Sequence, residues 1–145
     1  MGIYLFRKES LAACLENEID DFGKHVIPAA LADRKVQAHS FDGYWRDIGT
    51  LDAYFEANLD LKNVEPKLNV YNWDWPIRTV SYSDPPVKFV FDEGARRGEA
   101  VQSLVAGGCI IAGGHVKDSV LGRNIHVDDG AIVENCVILD NCWIK

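Results

Sequence analysis

Gly113-Gly-His-Val-Lys-Asp-Ser-Val-Leu-Gly-Arg-Asn-Ile-His-Val127 returns seventeen residues later as Gly130-Ala-Ile-Val-Glu-Asn-Cys-Val-Ile-Leu-Asp-Asn-Cys-Trp-Ile144. Gly113 falls on Gly130, Val116 on Val133, Val120 on Val137, Leu121 on Ile138, Asn124 on Asn141 and Val127 on Ile144. The apolar positions come in short β-branched groups, with Gly, Asn and Asp between them. Runs this short, punctuated by turn formers, read as brief strands rather than as a helix. The period fits a solenoid of short strands, with about six residues on each of three faces per coil. A single coil cannot bury its own inward side chains, so coils must stack on one another to close a core.

Upstream of this tail the pattern changes twice. Residues 1–61 alternate between strand-like and helix-like stretches. Gly2–Phe6 is a short apolar run expected to form a buried strand. Ser10–Leu15 places Leu11, Cys14 and Leu15 at helical spacing. Asp21 is positioned to cap a helix reaching about Ala32, with Val26, Ile27, Ala30 and Leu31 on one face; Pro28 in its first turns shifts the expected start later. Val36–Phe41 and Tyr44–Ile48 read as strands around a hairpin signal at Asp42-Gly43. Thr50 then caps the clearest helix, whose Leu51, Tyr54, Phe55, Asn58 and Leu59 follow the one-face rule.

Residues 62–102 form a connector. Pro66, Pro76, Pro85 and Pro86 break regular structure. Trp73 and Trp75 are expected to be covered by neighbours, Val87–Phe91 to form one strand, and residues 94–98 to make an exposed turn. The expected organisation is therefore 1–61, 62–102 and 103–145.

The bulk properties narrow the functional classes. The chain has 145 residues and a formal net charge of −7, with a pI near 5.0. An acidic surface repels phosphate backbones, which argues against nucleic acid as a partner. No apolar run reaches membrane-spanning length, and the N-terminus lacks a signal-peptide pattern. Cys14, Cys109, Cys136 and Cys142 form no CxxC pair and have no His at zinc-finger spacing. They are expected to be reduced, buried thiols in a cytoplasmic protein.

Three segments, in order, resemble bacterial ADP-glucose pyrophosphorylases: residues 1–6 (MGIYLF), residues 21–28 (DFGKHVIP) and residues 44–54 (YWRDIGTLDAY), the last continuing into Ala57–Leu61. Trp75–Thr79 and Ser103–Ile111 agree as well. The resemblance covers nearly the whole chain, and the second and third segments are specific as a pair. It implies an α/β fold: a partial Rossmann-like nucleotidyltransferase domain followed by the first coils of a left-handed parallel β-helix. The implied reaction joins ATP and glucose 1-phosphate to give ADP-glucose and pyrophosphate in glycogen or starch synthesis. The implied assembly is a homo-oligomer, a tetramer in the family, regulated by small metabolites. The family's Gly-rich phosphate loop and Glu-Lys-Pro segment do not occur among these residues, and the repeat stops mid-pattern. The expectation is therefore a piece of a longer enzyme, inactive by itself.

The same resemblance assigns roles. Asp47 stands at the metal-binding, catalytic position, where a Mg²⁺ ion would offset charge on phosphates. Asp21, Phe22 and Lys24 match the segment lining the glucose 1-phosphate pocket, and Trp45 is a candidate sugar-facing ring. Read as residues alone, each has a plainer role. Asp47 can help cap the Thr50 helix or pair with Arg46, Asp21 can be an N-cap, Lys24 a solvated charge, and Trp45 a packing residue. His115 and His126 read as solvent-facing turn residues. Two other readings compete: a non-catalytic regulatory or assembly module, and a β-helix acyltransferase, for which no further mark is present.

Overall fold

A computed structural model describes residues 2–16, 21–94 and 96–145. The chain divides into two compact units, Met1–Asp42 and Gly43–Lys145.

In the first unit α1 spans Lys8–Cys14 and carries Glu9 in its first turn, where a negative charge meets the exposed amides of a helix start. Asp21 Oδ1 accepts the Lys24 amide at 2.8 Å. One π-helical turn, Phe22–Val26, then leads into α2, Ile27–Asp33. Pro28 explains the wide turn. It has no N–H to give the Lys24 carbonyl, and its ring would press on that carbonyl in an α-turn. The amides of Val26 and Ile27 instead reach back five residues, to Asp21 and Phe22. Val26 and Ala30 are buried, Ile27 is half-buried, and Leu31 stays 61% exposed, so the apolar face is narrower than expected. The Tyr4 ring stacks on Phe22 at 5.8 Å, and Phe6 meets both rings edge-on.

The strands expected over 2–6, 36–41 and 44–48 do not form. Among the described residues these segments belong to no ladder, and Asp42-Gly43 leads into a bend rather than a hairpin. An apolar run becomes a strand when a neighbour takes up its N–H and C=O groups. The described residues supply no such neighbour to these three runs. Met1, part of the first of the resembling segments, lies outside the described residues.

The second unit opens with α3, Leu51–Asp60. Thr50 Oγ1 accepts the Ala53 amide at 3.2 Å as its cap. Beyond it Asn69 Oδ1 accepts from Tyr71, and Asn72 Oδ1 accepts from Asp74 and Trp75. These side-chain turns hold the backbone without a ladder. Trp73 and Trp75 are 87% and 85% exposed, contrary to the expected cover. The backbone closes on itself through its own Asn side chains, so no packed layer is needed to shape this stretch.

The remaining strands are β1 (Lys88–Val90), β2 (Asp92–Glu93), β3 (Arg96–Arg97), β4 (Glu99–Val101), β5 (Leu104–Val105), β6 (Ile110–Ala112), β7 (His115–Lys117), β8 (Val120–Leu121), β9 (His126–Val127), β10 (Ile132–Glu134), β11 (Val137–Ile138) and β12 (Trp143–Ile144). They make three parallel sheets, β1-β6-β9-β12, β4-β7-β10 and β5-β8-β11. Successive strands visit the three sheets in turn, so the chain winds as a three-sided coil. β1 and β4 already belong to it, upstream of Ser103. β2 and β3 form an antiparallel hairpin, with Asp92 beside Arg97 and Glu93 beside Arg96, so part of the turn expected over 94–98 is strand; Gly94 takes a φ of +62°, and Ala95 lies outside the described residues.

The seventeen-residue offset is the ladder itself: Val116 pairs with Val133, Val120 with Val137, Leu121 with Ile138 and Val127 with Ile144. The preceding coil runs at sixteen, with Leu104 beside Val120 and Ile111 beside Val127. The extra residue lies in the Asp128–Ala131 corner. The β2–β3 hairpin is inserted at that same corner two coils earlier, between β1 and β4. Each corner carries left-handed backbone: Gln102, Asp118 and Asn135 at one, Gly108, Asn124 and Asn141 at the second, Gly113 and Gly130 at the third. That conformation is least costly for Gly, Asn and Asp, which is why they punctuate the repeat. Inside lie Cys109, Ile111, Val116, Leu121, Ile125, Val127, Ala131 and Val133.

Candidate functional site

Asp47 lies on a short loop between two points of attachment to α3. Before it, Arg46 Nη1 donates to Asp60 Oδ2 at 2.6 Å, and Nη2 donates to Glu56. After it, Thr50 caps the helix. The Asp47 carboxylate itself is exposed, and Oδ1 accepts the Gly49 amide at 3.1 Å. Neither plain role foreseen for it is seen. Arg46 spends its guanidinium on the helix acids, and Thr50 does the capping. No ion pair to Asp47 is found among the described residues. A Cβ at Gly49 would meet Asp47 Oδ1 at 3.3 Å, so the tight turn and the carboxylate are fitted to each other.

Chemically, this is a hard oxygen donor facing outward on a fixed loop. Mg²⁺ is held by one or two carboxylates and keeps its other positions for water and phosphate oxygens. Asp47 fits one such position. It is not a cage by itself, since no group of three or more metal-binding side chains occurs among the described residues.

Asp21, Phe22 and Lys24 lie together at the start of the π-turn in the first unit. Asp21 performs the capping role, and its Oδ2 is 3.7 Å from Lys24 Nζ. Lys24 is 79% exposed, so its ammonium can meet a phosphate as a point charge. Phe22 is half-buried in the Tyr4–Phe6 ring cluster, which fixes its ring and leaves part of it accessible. Trp45, in the second unit, is 50% exposed.

The two repeat-region histidines are strand residues rather than turn residues. His115 Nδ1 lies 2.8 Å from Glu99, and His126 stacks on Trp143 at 4.8 Å with Nε2 3.1 Å from Asp128. Of the four free cysteines only Cys109 is fully buried; Cys14, Cys136 and Cys142 are partly exposed. Two features escaped sequence reading: the Arg46–Glu56–Asp60 bracket, and a link from Lys62 Nζ to Asp118 Oδ1 at 2.8 Å. Arg46 beside a candidate carboxylate, with acids at helical spacing after it, was the available signal for the first. Nothing in the sequence pointed to the second, whose partners are far apart in the chain.

Comparison with known proteins agrees with this layout. The nucleotidyl transferase family model matches residues 1–64, and the "GlmU-like, C-terminal hexapeptide" model matches residues 85–145. Fold and matches together define a nucleotidyltransferase segment joined to a hexapeptide-repeat coil. Glucose-1-phosphate adenylyltransferases of Deinococcus radiodurans, Paramagnetospirillum magneticum and Hydrogenovibrio crunogenus are 47%, 46% and 45% identical to it over 99%, 97% and 100% of this chain. The chain spans 39%, 37% and 37% of the respective lengths of these relatives. No helix among the described residues is long and apolar enough to cross a membrane.

Proposed function

We propose that these residues serve in an enzyme that makes ADP-glucose and pyrophosphate from ATP and glucose 1-phosphate. A phosphate oxygen of the sugar phosphate attacks the α-phosphorus of ATP, and the bond from that phosphorus to the pyrophosphate oxygen breaks. The reaction brings several negative charges together, so catalysis is mostly positioning and charge neutralisation. Bound at Asp47, Mg²⁺ would supply part of that neutralisation. Asp47 offers one carboxylate on a loop bracketed by Arg46 and Thr50. Lys24 brings a positive point charge toward the sugar phosphate. Asp21 orients the turn that carries Lys24 and offers its remaining acceptor capacity to sugar hydroxyls. Phe22 and Trp45 offer ring faces to the sugar.

The observation that carries this reading is the exposed Asp47 carboxylate, left without an ion-pair partner among the described residues while its neighbour Arg46 binds two acids of α3. The relatives' name, glucose-1-phosphate adenylyltransferase, supports glucose 1-phosphate as the acceptor and an adenylyl group as what is transferred. We further propose a cytoplasmic homo-oligomer; four free thiols suit a reducing compartment.

The test is a chimera in which residues 1–145 replace the matched region of the Deinococcus radiodurans relative. Magnesium-dependent pyrophosphate release from ATP and glucose 1-phosphate is expected. A folded chimera with no release, beside an active parent, would favour the non-catalytic module instead.

A further inference from the structure

The Asp47 loop has little freedom apart from α3. Only Asp47, Ile48 and Gly49 separate Arg46, which grips Glu56 and Asp60 on the helix, from Thr50, which caps it. The orientation of α3 therefore sets the direction of the carboxylate. Yet α3 has no fully buried residue of its own. It rests beside β11 along a shallow groove that includes Tyr54, Asn58, Tyr71, Val120 and Ile138. Two residues past its end, Lys62 reaches across to Asp118. The side chains are 13% and 28% exposed, and 56 residues separate them in sequence. Asp118 stands on a rigid corner of the coil: its φ is +50°, its amide donates to the Val101 carbonyl at 3.1 Å, and fully buried Ser119 follows it.

We propose that Lys62 and Asp118 are positioning residues: their ion pair fixes α3 on the coil and, through Arg46, sets the direction in which Asp47 presents its carboxylate. The coil thereby acts as the base on which a metal ligand of the neighbouring segment is aimed. The consequence for metal binding rests on the reading of Asp47 given above; the mechanical coupling does not. A ligand group tolerates little misplacement, so the support behind it matters even when it touches nothing that reacts.

The experiment uses the ¹⁵N-labelled 145-residue chain, with Mn²⁺ as a paramagnetic probe. Lys62→Met keeps the aliphatic stem and removes the charge. Asp118→Asn preserves the corner, because Asn135 already holds the equivalent left-handed position one coil later, at φ +51°. Both variants are expected to move the amide resonances of Asp47, Ile48 and Gly49 while those of β7 and β10 stay in place. Both are expected to raise the Mn²⁺ concentration that half-broadens the Gly49 amide by about threefold, and Lys62→Arg is expected to restore it. Unchanged Asp47–Gly49 resonances in both variants would overturn the coupling. Asp47→Asn separates the two ideas. Local broadening that survives this substitution would refute the metal reading, while moved resonances in the Lys62 and Asp118 variants would still establish the coupling.

Discussion

Arg123 Nη2 donates to Asp84 Oδ1 at 2.7 Å while the same guanidinium lies 3.4 Å from the centre of the Tyr82 ring. Arg123 Nε also donates to Asp84, and the Arg123 backbone amide donates to Asp140 Oδ1 at 2.7 Å. One arginine thus clasps the connector on one side and the next coil on the other. A bidentate, ring-stacked guanidinium cannot be replaced by a lysine ammonium without losing both features.

The clasp makes stability depend on acid. Hydrogen bonds from Arg123, aided by its charge and opposed by burial, hold the Asp84 carboxyl below the usual carboxylate range. Lys62 does the same to Asp118. A carboxylate with a depressed folded-state pKa contributes stability above its unfolded value, here 3.8, and loses it as pH falls through the folded value. Thermal melts between pH 7 and pH 2 are expected to show an acid limb starting near that value. Asp84→Asn is expected to lower the melting temperature at pH 7 and to flatten the limb. An unchanged limb would contradict the clasp.

The inner corner between the β4 and β5 sheets is held by a ladder of small polar side chains. Ser119 Oγ donates to the Lys117 carbonyl at 2.7 Å and accepts the Cys136 amide at 3.0 Å; the Ser119 amide donates to Ser103 Oγ at 3.0 Å. Ser119 is fully buried, so removing its oxygen leaves the Cys136 amide without its acceptor. Ser119→Ala is expected to cost about 1–3 kcal/mol in urea unfolding. Ser119→Cys is expected to cost less, because Cys136 already serves in this position one coil later, donating to the Glu134 carbonyl.

Cys109 differs from the other three thiols. Burial raises its pKa from 9.0, and it is packed inside the coil with its sulfur near the Gly122 carbonyl and the Ile125 amide. Both effects suppress the thiolate that reacts with disulfide reagents. Ellman titration of the native chain at pH 8 is expected to leave Cys109 unmodified until denaturant is added. Rapid labelling of Cys109 in folded protein would contradict the core assignment.

The coil was legible because its register is a sequence period. Val116 on Val133 and Leu121 on Ile138 are both a self-match and a hydrogen-bonded pair. The sixteen-residue coil before it was hidden by a change of one residue at the Asp128–Ala131 corner. Helices were legible through their caps at Asp21 and Thr50, which are local chemistry. The π-turn at Phe22–Val26 was not, although Pro28 had marked the irregularity. Strands over 2–6, 36–41 and 44–48 failed because strand formation depends on a neighbour, and apolar composition says nothing of whether one is present. Trp73 and Trp75 failed for a similar reason: size makes burial favourable only where something is placed to cover the ring. At the candidate site, Asp47 was singled out by the resemblance of residues 44–54, and its contact with the Gly49 amide is local, whereas the Lys62–Asp118 link depends on contacts that no local pattern encodes.

A magnesium titration of the chimera's turnover tests most directly whether the outward-facing Asp47 carboxylate is a metal ligand. Asp47→Asn, which keeps an oxygen for the Gly49 amide but loses the charge, is expected to lower the maximal rate by at least about a hundredfold. It is also expected to raise the Mg²⁺ concentration needed for half-maximal rate, with helix content unchanged. A variant that turns over at the parental rate with the parental magnesium requirement would contradict a metal-binding role for Asp47.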